Sequence, residues 1–222
     1  MKTIPFRNCS FVVAFFVAAL TALAQDKVPL KIQLPRPLFV GTPVPLNVPN
    51  LEPPMKGKRP DFMVPAGTLN LAKGKKVTSS DNNPVVGTLD LVTDGDKAGD
   101  EGSWVELGPG KQWVQIDLAK SANIYAVLLW HFHSQARVYR DVVVQISNDP
   151  TFKSGVITIF NNDFKGELGA GTGKDLNYVE TYQGKLVDAK GANGRYVRLY
   201  SNGNTTNKLN DYIEVEVWGK PA

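Results

Sequence analysis

Two runs decide the fold: Trp113-Val-Gln-Ile-Asp-Leu118 and Ile124-Tyr-Ala-Val-Leu-Leu-Trp-His-Phe132. The first alternates apolar and polar side chains, the period-2 pattern of a half-buried strand. The second is a longer, nearly continuous apolar run, as for a buried strand. Further short runs lie downstream at Asp141–Ser147, Val156–Phe160, Tyr196–Tyr200 and Tyr212–Trp218. Val, Ile and aromatic residues dominate them, and such side chains fit a pleated, half-buried surface. Clusters of Gly, Asn and Asp separate the runs, with no long helical period and no internal repeat between them. From Gly67 onward the chain therefore reads as all-β, an antiparallel sandwich of two packed sheets.

Upstream the character changes. Between Val28 and Pro65 lie 10 of the 15 prolines. Proline fixes φ and removes a backbone donor, so neither a helix nor a central strand suits residues 25–66. Leu30, Ile32, Leu34, Leu38, Phe39 and Val40 argue against a free, solvated spacer, a disordered linker being the alternative that the composition offers. The expectation is a Pro-rich extended segment lying partly along the surface of a domain at 67–222. Residues 1–24 precede it, with Lys2 and Arg7, an apolar stretch from Phe11 to Leu23, and Ala22-Leu23-Ala24 at the end. A positive start, a short apolar centre and an A-x-A ending are the parts of a signal peptide cleaved after Ala24. The apolar run is short for a membrane span. The expectation is a secreted or periplasmic protein with no membrane span after cleavage.

This reading reshapes the composition. The chain has 222 residues, a formal net charge of +4 and a single cysteine. That cysteine is Cys9, inside the predicted leader, so neither a disulfide framework nor a cysteine-rich zinc module is available. Lys2 and Arg7 leave with it and take half of the net charge. Lys56, Lys58, Arg59, Lys73, Lys75 and Lys76 are scattered, and no nucleic-acid motif accompanies them. That argues against nucleic acid as a partner. The stretch Gly166–Asp175 fails as a phosphate loop, because Leu168 stands in place of the first glycine and Asp175 in place of Ser or Thr. It reads as an exposed loop between strands.

The order of the motifs says more than any one of them. Asn70–Thr78 opens the domain, and Val92-Thr-Asp-Gly-Asp96, Trp104, Trp113–Leu118, Asp141–Asp149, Arg195–Tyr200 and Glu214-Val-Glu-Val-Trp-Gly219 follow in turn. This succession resembles the discoidin, or coagulation factor V/VIII type C, domain over about residues 68–220. That family belongs to the galactose-binding-like jelly rolls and includes many bacterial carbohydrate-binding modules. Ala119 replaces the glycine usual after Asp-Leu, and residues 161–185 look like an insertion. The terminal cysteine pair of the animal branch is missing, which points to the bacterial branch. The resemblance implies an antiparallel jelly-roll β-sandwich.

Four carboxylates fall within Asp94-Gly-Asp-Lys-Ala-Gly-Asp-Glu101. Like charges this close repel unless a cation binds them, and Ca²⁺ accepts many oxygens in flexible geometry. The loop is not an EF-hand, since Ala98 breaks the third ligand position and Val105 stands where the closing Glu belongs. The resemblance implies a structural Ca²⁺ held by Asp94, Asp96 and Glu214, with backbone carbonyls near Val92 and Lys97.

The only histidines, His131 and His133, are two apart and would share one face of a strand. A transition metal there would need a further ligand such as Asp141. The stretch His131-Phe-His-Ser-Gln-Ala-Arg-Val-Tyr-Arg140 serves better as a binding surface. Sugars lay apolar ring faces on aromatics and bring hydroxyls to planar polar groups. In the resembling modules the ligand lies in loops at one end of the sandwich. On that basis His131, His133, Arg137, Tyr139, Arg140 and Trp104 are the candidate ligand-binding residues. The alternative is a strand end whose aromatics belong to the core and whose arginine pairs with Asp141.

No nucleophile elbow, zincin motif or Ser-His-Asp order is visible. The sequence therefore reads as a secreted, non-catalytic binding module for an extracellular or cell-envelope glycan, acting beside other secreted proteins. A cell-envelope structural or interaction protein without sugar binding is the second reading. A glycan-active enzyme is the third.

Overall fold

The two deciding runs form one long, bent strand. The computed structural model describes residues 26–38 and 46–222. The predicted leader at 1–24, with Cys9 and the cleavage point, lies outside the described residues. In chain order the strands are β1 (Lys27–Pro29), β2 (Met63–Pro65), β3 (Leu69–Asn70), β4 (Lys76–Ser79), β5 (Val105–Leu107), β6 (Gln112–His131), β7 (Val143–Ser147), β8 (Ile157–Asn161), β9 (Lys185–Ser201) and β10 (Asn210–Pro221). A single 3-10 turn, Leu89–Thr93, is the only helical element among the described residues.

The bend lies in the middle of β6. Its first part pairs with β4 and with the end of β9; its second part pairs with β10 and with the start of β9. Register breaks between Asp117 and Ala122. There Ala119 takes φ +69°, and its N–H bonds to Asp117 Oδ1 at 2.8 Å. This is the position where the resembling family has glycine, and the left-handed region costs an alanine about 1–2 kcal/mol. Strand β9 bends alike: Lys190 has φ +53°, and its N–H bonds to Asp188 Oδ1 at 2.9 Å. Two bent strands thus serve both layers. One layer runs β4, β6, β9, β7, β8; the other has β3 and β5 beside β10, then β6 and β9. All these pairings are antiparallel.

The main core fills the space between the layers. Val114, Ile116, Val144, Ile146, Val197 and Leu199 meet Val127, Leu129, Val215 and Val217 there. Each such side chain contributes about 1.5–3 kcal/mol by leaving water. The continuous apolar run in β6 is explained by its other face. Ala126, Leu128, Trp130 and Ile213 form a second apolar cluster, and Leu30, Ile32 and Phe62 of the Pro-rich segment pack against it. Pairing of β1 with β2 and a Leu30 N–H bond to the Phe62 carbonyl at 2.8 Å hold that segment in place. Trp130 Nε1–H donates to the Tyr182 carbonyl at 3.0 Å, so the indole is buried without an unpaired donor. Gly184 takes φ +65° against this ring, and an added Cβ would come within 2.5 Å of it. Among the described residues no helix is long and apolar enough to cross a membrane.

Candidate functional site

The start of β5, the end of β6 and the start of β10 meet at one end of the sandwich, where Tyr212 pairs with both Val105 and His131. The loop after β6 carries most of the predicted site residues to this end.

His131 turns inward and is wholly buried. Its ring stacks on Tyr139 with centroids 4.1 Å apart, and its Nδ1–H donates to Glu180 Oε1 at 2.7 Å. Tyr139 is also buried, and its hydroxyl donates to Asp211 Oδ2 at 2.5 Å. Burial and the Asp211 charge raise its pKa well above the ordinary tyrosine value. His133 is covered by the acidic loop, with Nε2 bonded to the Lys97 carbonyl at 2.9 Å. The two histidines therefore have different partners. Asp141 accepts from Asn202 at 2.8 Å and belongs to neither.

Arg137 is only 9% exposed. It donates to Asp211 Oδ2 at 3.1 Å and to Gln135 Oε1 at 3.3 Å. The pairing with Asp141 that the alternative reading offered is not made; Arg137 pairs with Asp211 instead, because Asp141 is taken by Asn202 and β10 delivers Asp211 to this end. The guanidinium lies over Phe132, 4.3 Å from the ring centroid, and half-buried Trp104 meets the same ring edge-on at 5.0 Å. Trp104, Phe132 and Arg137 form a continuous row. Arg140 is exposed and anchored through its backbone to Gly203.

Sequence reasoning missed four participants here. Phe132 was legible only as the end of a strand. Glu106 and Asp211 face one another across β5 and β10. Burial, the Asp211 hydrogen bond and the Asp211 charge push the Glu106 carboxyl up to about 7, while Arg137 pulls the other way. Glu180 comes from the turn-rich stretch before β9, where no periodicity points to burial. The alternation in Val105-Glu-Leu107 was a usable signal that Glu106 sits on a strand. Nothing in sequence gave its partner.

The acidic loop meets β10 further along. Glu214 is fully buried; its Oε2 accepts the Gly95 N–H at 3.1 Å, and its Oε1 has no partner among the described residues. Burial, helped by Glu216 and Asp94, pushes its pKa up to about 9. Asp94 lies at the surface, and partial burial with the nearby Asp96 and Asp90 charges raises its pKa too. Its Oδ1 accepts the Asp96 N–H at 2.7 Å, while Asp96 Oδ1 accepts the Ala98 N–H at 2.9 Å. The structure brings the Asp94 loop to Glu214, whereas Asp96 closes a turn. Among the described residues no three His, Cys, Asp or Glu side chains converge as a metal site.

The family model of the F5/8 type C domain matches residues 76–215. The chain belongs to that family. A comparison with curated proteins finds no match. Among solved structures, the F5/8 type C fold is shared by a family 89 glycoside hydrolase from Clostridium perfringens, at 18% identity and a TM-score of 0.52. That likeness covers 69% of this chain and 15% of the hydrolase, so the chain spans a small part of that enzyme. A chitosan-binding module from a Paenibacillus sp. IK-5 chitosanase/glucanase gives 20% identity and a TM-score of 0.48, over 68% of this chain and 98% of the module. A Streptococcus pneumoniae fucose binding module gives 19% and 0.45, over 67% and 96%.

Proposed function

We propose that this F5/8 type C domain is a non-catalytic module that binds a glycan at the loop end of the sandwich. The observation that carries this reading is the row Trp104–Phe132–Arg137 beside the Glu106–Asp211 pair. Aromatic faces receive the apolar side of a sugar ring, while the planar guanidinium and carboxylate bind its hydroxyls. His131 and Tyr139 lie beneath this surface and hold Glu180 and Asp211 in place, while His133 fixes the acidic loop. Arg140 adds an exposed donor at the rim. The family's bacterial carbohydrate-binding members support the same ligand class. A glycan array probed with the wild type, Arg137→Lys and Trp104→Ala tests it. Arg137→Lys keeps the charge beside Asp211 and removes only the planar fork. Binding to a defined glycan that both variants lose while each still unfolds cooperatively from a native fold is the expected result. Binding to no glycan would favour an envelope protein acting without sugar, and hydrolysis of a glycan by the purified protein would overturn both.

The reading includes a structural Ca²⁺ and export through the predicted leader. The buried, unpartnered Glu214 Oε1 and the neighbouring Asp94 fit a hard cation. Glu214 and Asp94 would hold it together with backbone carbonyls, and Asp96 would shape the loop through its turn. The ion would supply the positive charge that Glu214 lacks and tie the loop to β10.

A further inference from the structure

The Pro-rich segment lies outside the matched family region, yet it reaches the loop end through one intermediate stretch. Residues 176–184, between β8 and β9, belong to no strand. They are held from two sides. The Pro-rich segment stands on the first. Leu51 forms a parallel bridge with Asn177. The Asn177 N–H donates to the Asn50 carbonyl at 2.9 Å, and the Glu52 N–H donates to the Asn177 carbonyl at 2.8 Å. Arg59 donates to the carbonyls of Gln183, at 2.8 Å, and Gly184. Gln183 Nε2 donates to the Gly57 carbonyl at 3.2 Å, and Lys185 Nζ meets Glu52 Oε2 at 2.6 Å.

The loop that carries Arg137 stands on the second side. The Glu180 N–H donates to the Arg137 carbonyl at 2.8 Å, and Glu180 Oε1 accepts from His131 at 2.7 Å. Both Glu180 and His131 are buried, so close packing leaves this joint little room to swing. Glu180 therefore fixes the backbone of the residue whose guanidinium completes the row with Trp104 and Phe132. The neighbouring backbone ties of this loop, at Val138 and Arg140, run to Thr205 and Gly203 instead. The guanidinium tolerates little displacement. It lies 3.1 Å from Asp211 Oδ2, and a shift of about 0.5 Å would carry that contact beyond hydrogen-bond range. A loop is mobile unless it is tied down, and a ligand that must order it loses affinity by that cost. Here the ties run in series, from Arg59 to Gln183 and Gly184, then to Glu180, then to Arg137.

We infer that the Pro-rich segment is a brace for the loop end, with Arg59 a positioning residue that sets where Arg137 stands through residues 177–184. Only its effect on affinity rests on the glycan reading; its effect on Arg137 does not. Amide hydrogen exchange of the whole chain, followed by mass spectrometry, tests the brace. Arg59→Ala removes both carbonyl contacts, and Arg59→Lys returns a donor to the same place. Val197→Ala, in the main core, is a control for lowered stability alone. Arg59→Ala should speed exchange about tenfold in residues 177–184 and also in residues 133–140, with β7 and β8 unchanged. Arg59→Lys should restore most of the protection, and Val197→Ala should not single out these two stretches. Calorimetric titration with the methyl glycosides of galactose, fucose and N-acetylglucosamine supplies the second readout. Arg59→Ala should weaken whichever of them the wild type binds by about threefold to tenfold, and Arg59→Lys should recover most of that loss. Faster exchange confined to residues 177–184 overturns the brace and leaves the loop-end reading standing. Sugar binding that keeps its full affinity in Arg59→Ala also overturns the brace. Coupled exchange in both stretches with no sugar bound by the wild type supports the brace and counts against the glycan reading.

Discussion

Of the three buried carboxylates on strand β10, Asp211 and Glu214 are balanced in opposite ways. Asp211 receives the Arg137 guanidinium at 3.1 Å and the Tyr139 hydroxyl at 2.5 Å. Glu214 receives one backbone N–H at 3.1 Å and keeps an oxygen without a partner. The nearest ammonium, Lys97, is held by Glu216 at 2.7 Å. One site therefore brings its counter-ion from the chain, on the loop after β6. The other either stays protonated or takes a cation from solution. The contrast separates a carboxylate under the loop end, whose counter-ion the chain supplies, from a proposed cation socket beside the acidic loop.

The largest expected effect comes from breaking the Arg137–Asp211 pair. Arg137→Ala leaves Asp211 buried without its cation, which costs about 3–5 kcal/mol. Chemical denaturation at pH 7 measures it, and adding Asp211→Asn should recover part of the loss. A cost no larger than that of a surface substitution would mean that Asp211 does not depend on Arg137. The socket gives the next effect. Ca²⁺ at a hundredfold excess over its dissociation constant should stabilise the protein by about 2.7 kcal/mol, and a chelator should reverse the gain. Glu214→Gln should abolish the response to Ca²⁺ while leaving the metal-free protein at least as stable, because burial disfavours the charged carboxylate. An unchanged melting temperature on chelation would make Glu214 a protonated core residue and no socket. A smaller effect belongs to Tyr139→Phe, which removes one hydrogen bond to Asp211 and should cost about 1.5 kcal/mol. Arg137 remains in that variant, so the loss must stay well below that of Arg137→Ala.

These contrasts also show what the sequence could tell. The alternation of Trp113–Asp117 and the solid apolar run after Ile124 reveal strands, because burial leaves a period in the chain. The same run conceals that its outer face is covered by Leu30, Ile32 and Phe62, since a periodic pattern names no partner. Glu214 was legible through the family motif, and its meeting with the Asp94 loop follows from β10 lying beside that loop. Asp211 was not legible. Its meaning arises only when β5 and the loop after β6 bring Glu106, Arg137 and Tyr139 to it, and these contacts join residues far apart in sequence. Asp141 drew attention by proximity in the chain, yet Asn202 occupies it. Local pattern predicts elements; charge pairing at the ends of a sandwich is decided by which loops arrive there.

The smallest effect probes how far the Arg137 charge reaches. Glu106 faces Asp211, with Arg137 the cation nearby, and its carboxyl is pushed from an ordinary 4.5 up to about 7. A raised carboxyl pKa means that the folded state prefers the protonated form. Its stabilising contribution is complete below about 4.5 and disappears as the pH climbs through about 7. Glu106→Gln imitates the protonated side chain at every pH. The variant and the wild type should therefore melt together near pH 4.5, and the variant should pull ahead as the pH rises towards 8. The half-exposed position lets water screen the repulsion, which holds the gain to about 1 kcal/mol or less. Melting curves across this range measure the difference directly. A difference that stays constant with pH would show that the single charge of Arg137 already balances Glu106 together with Asp211. The loop end would then hold two carboxylates on one cation, and its contrast with Glu214 would widen.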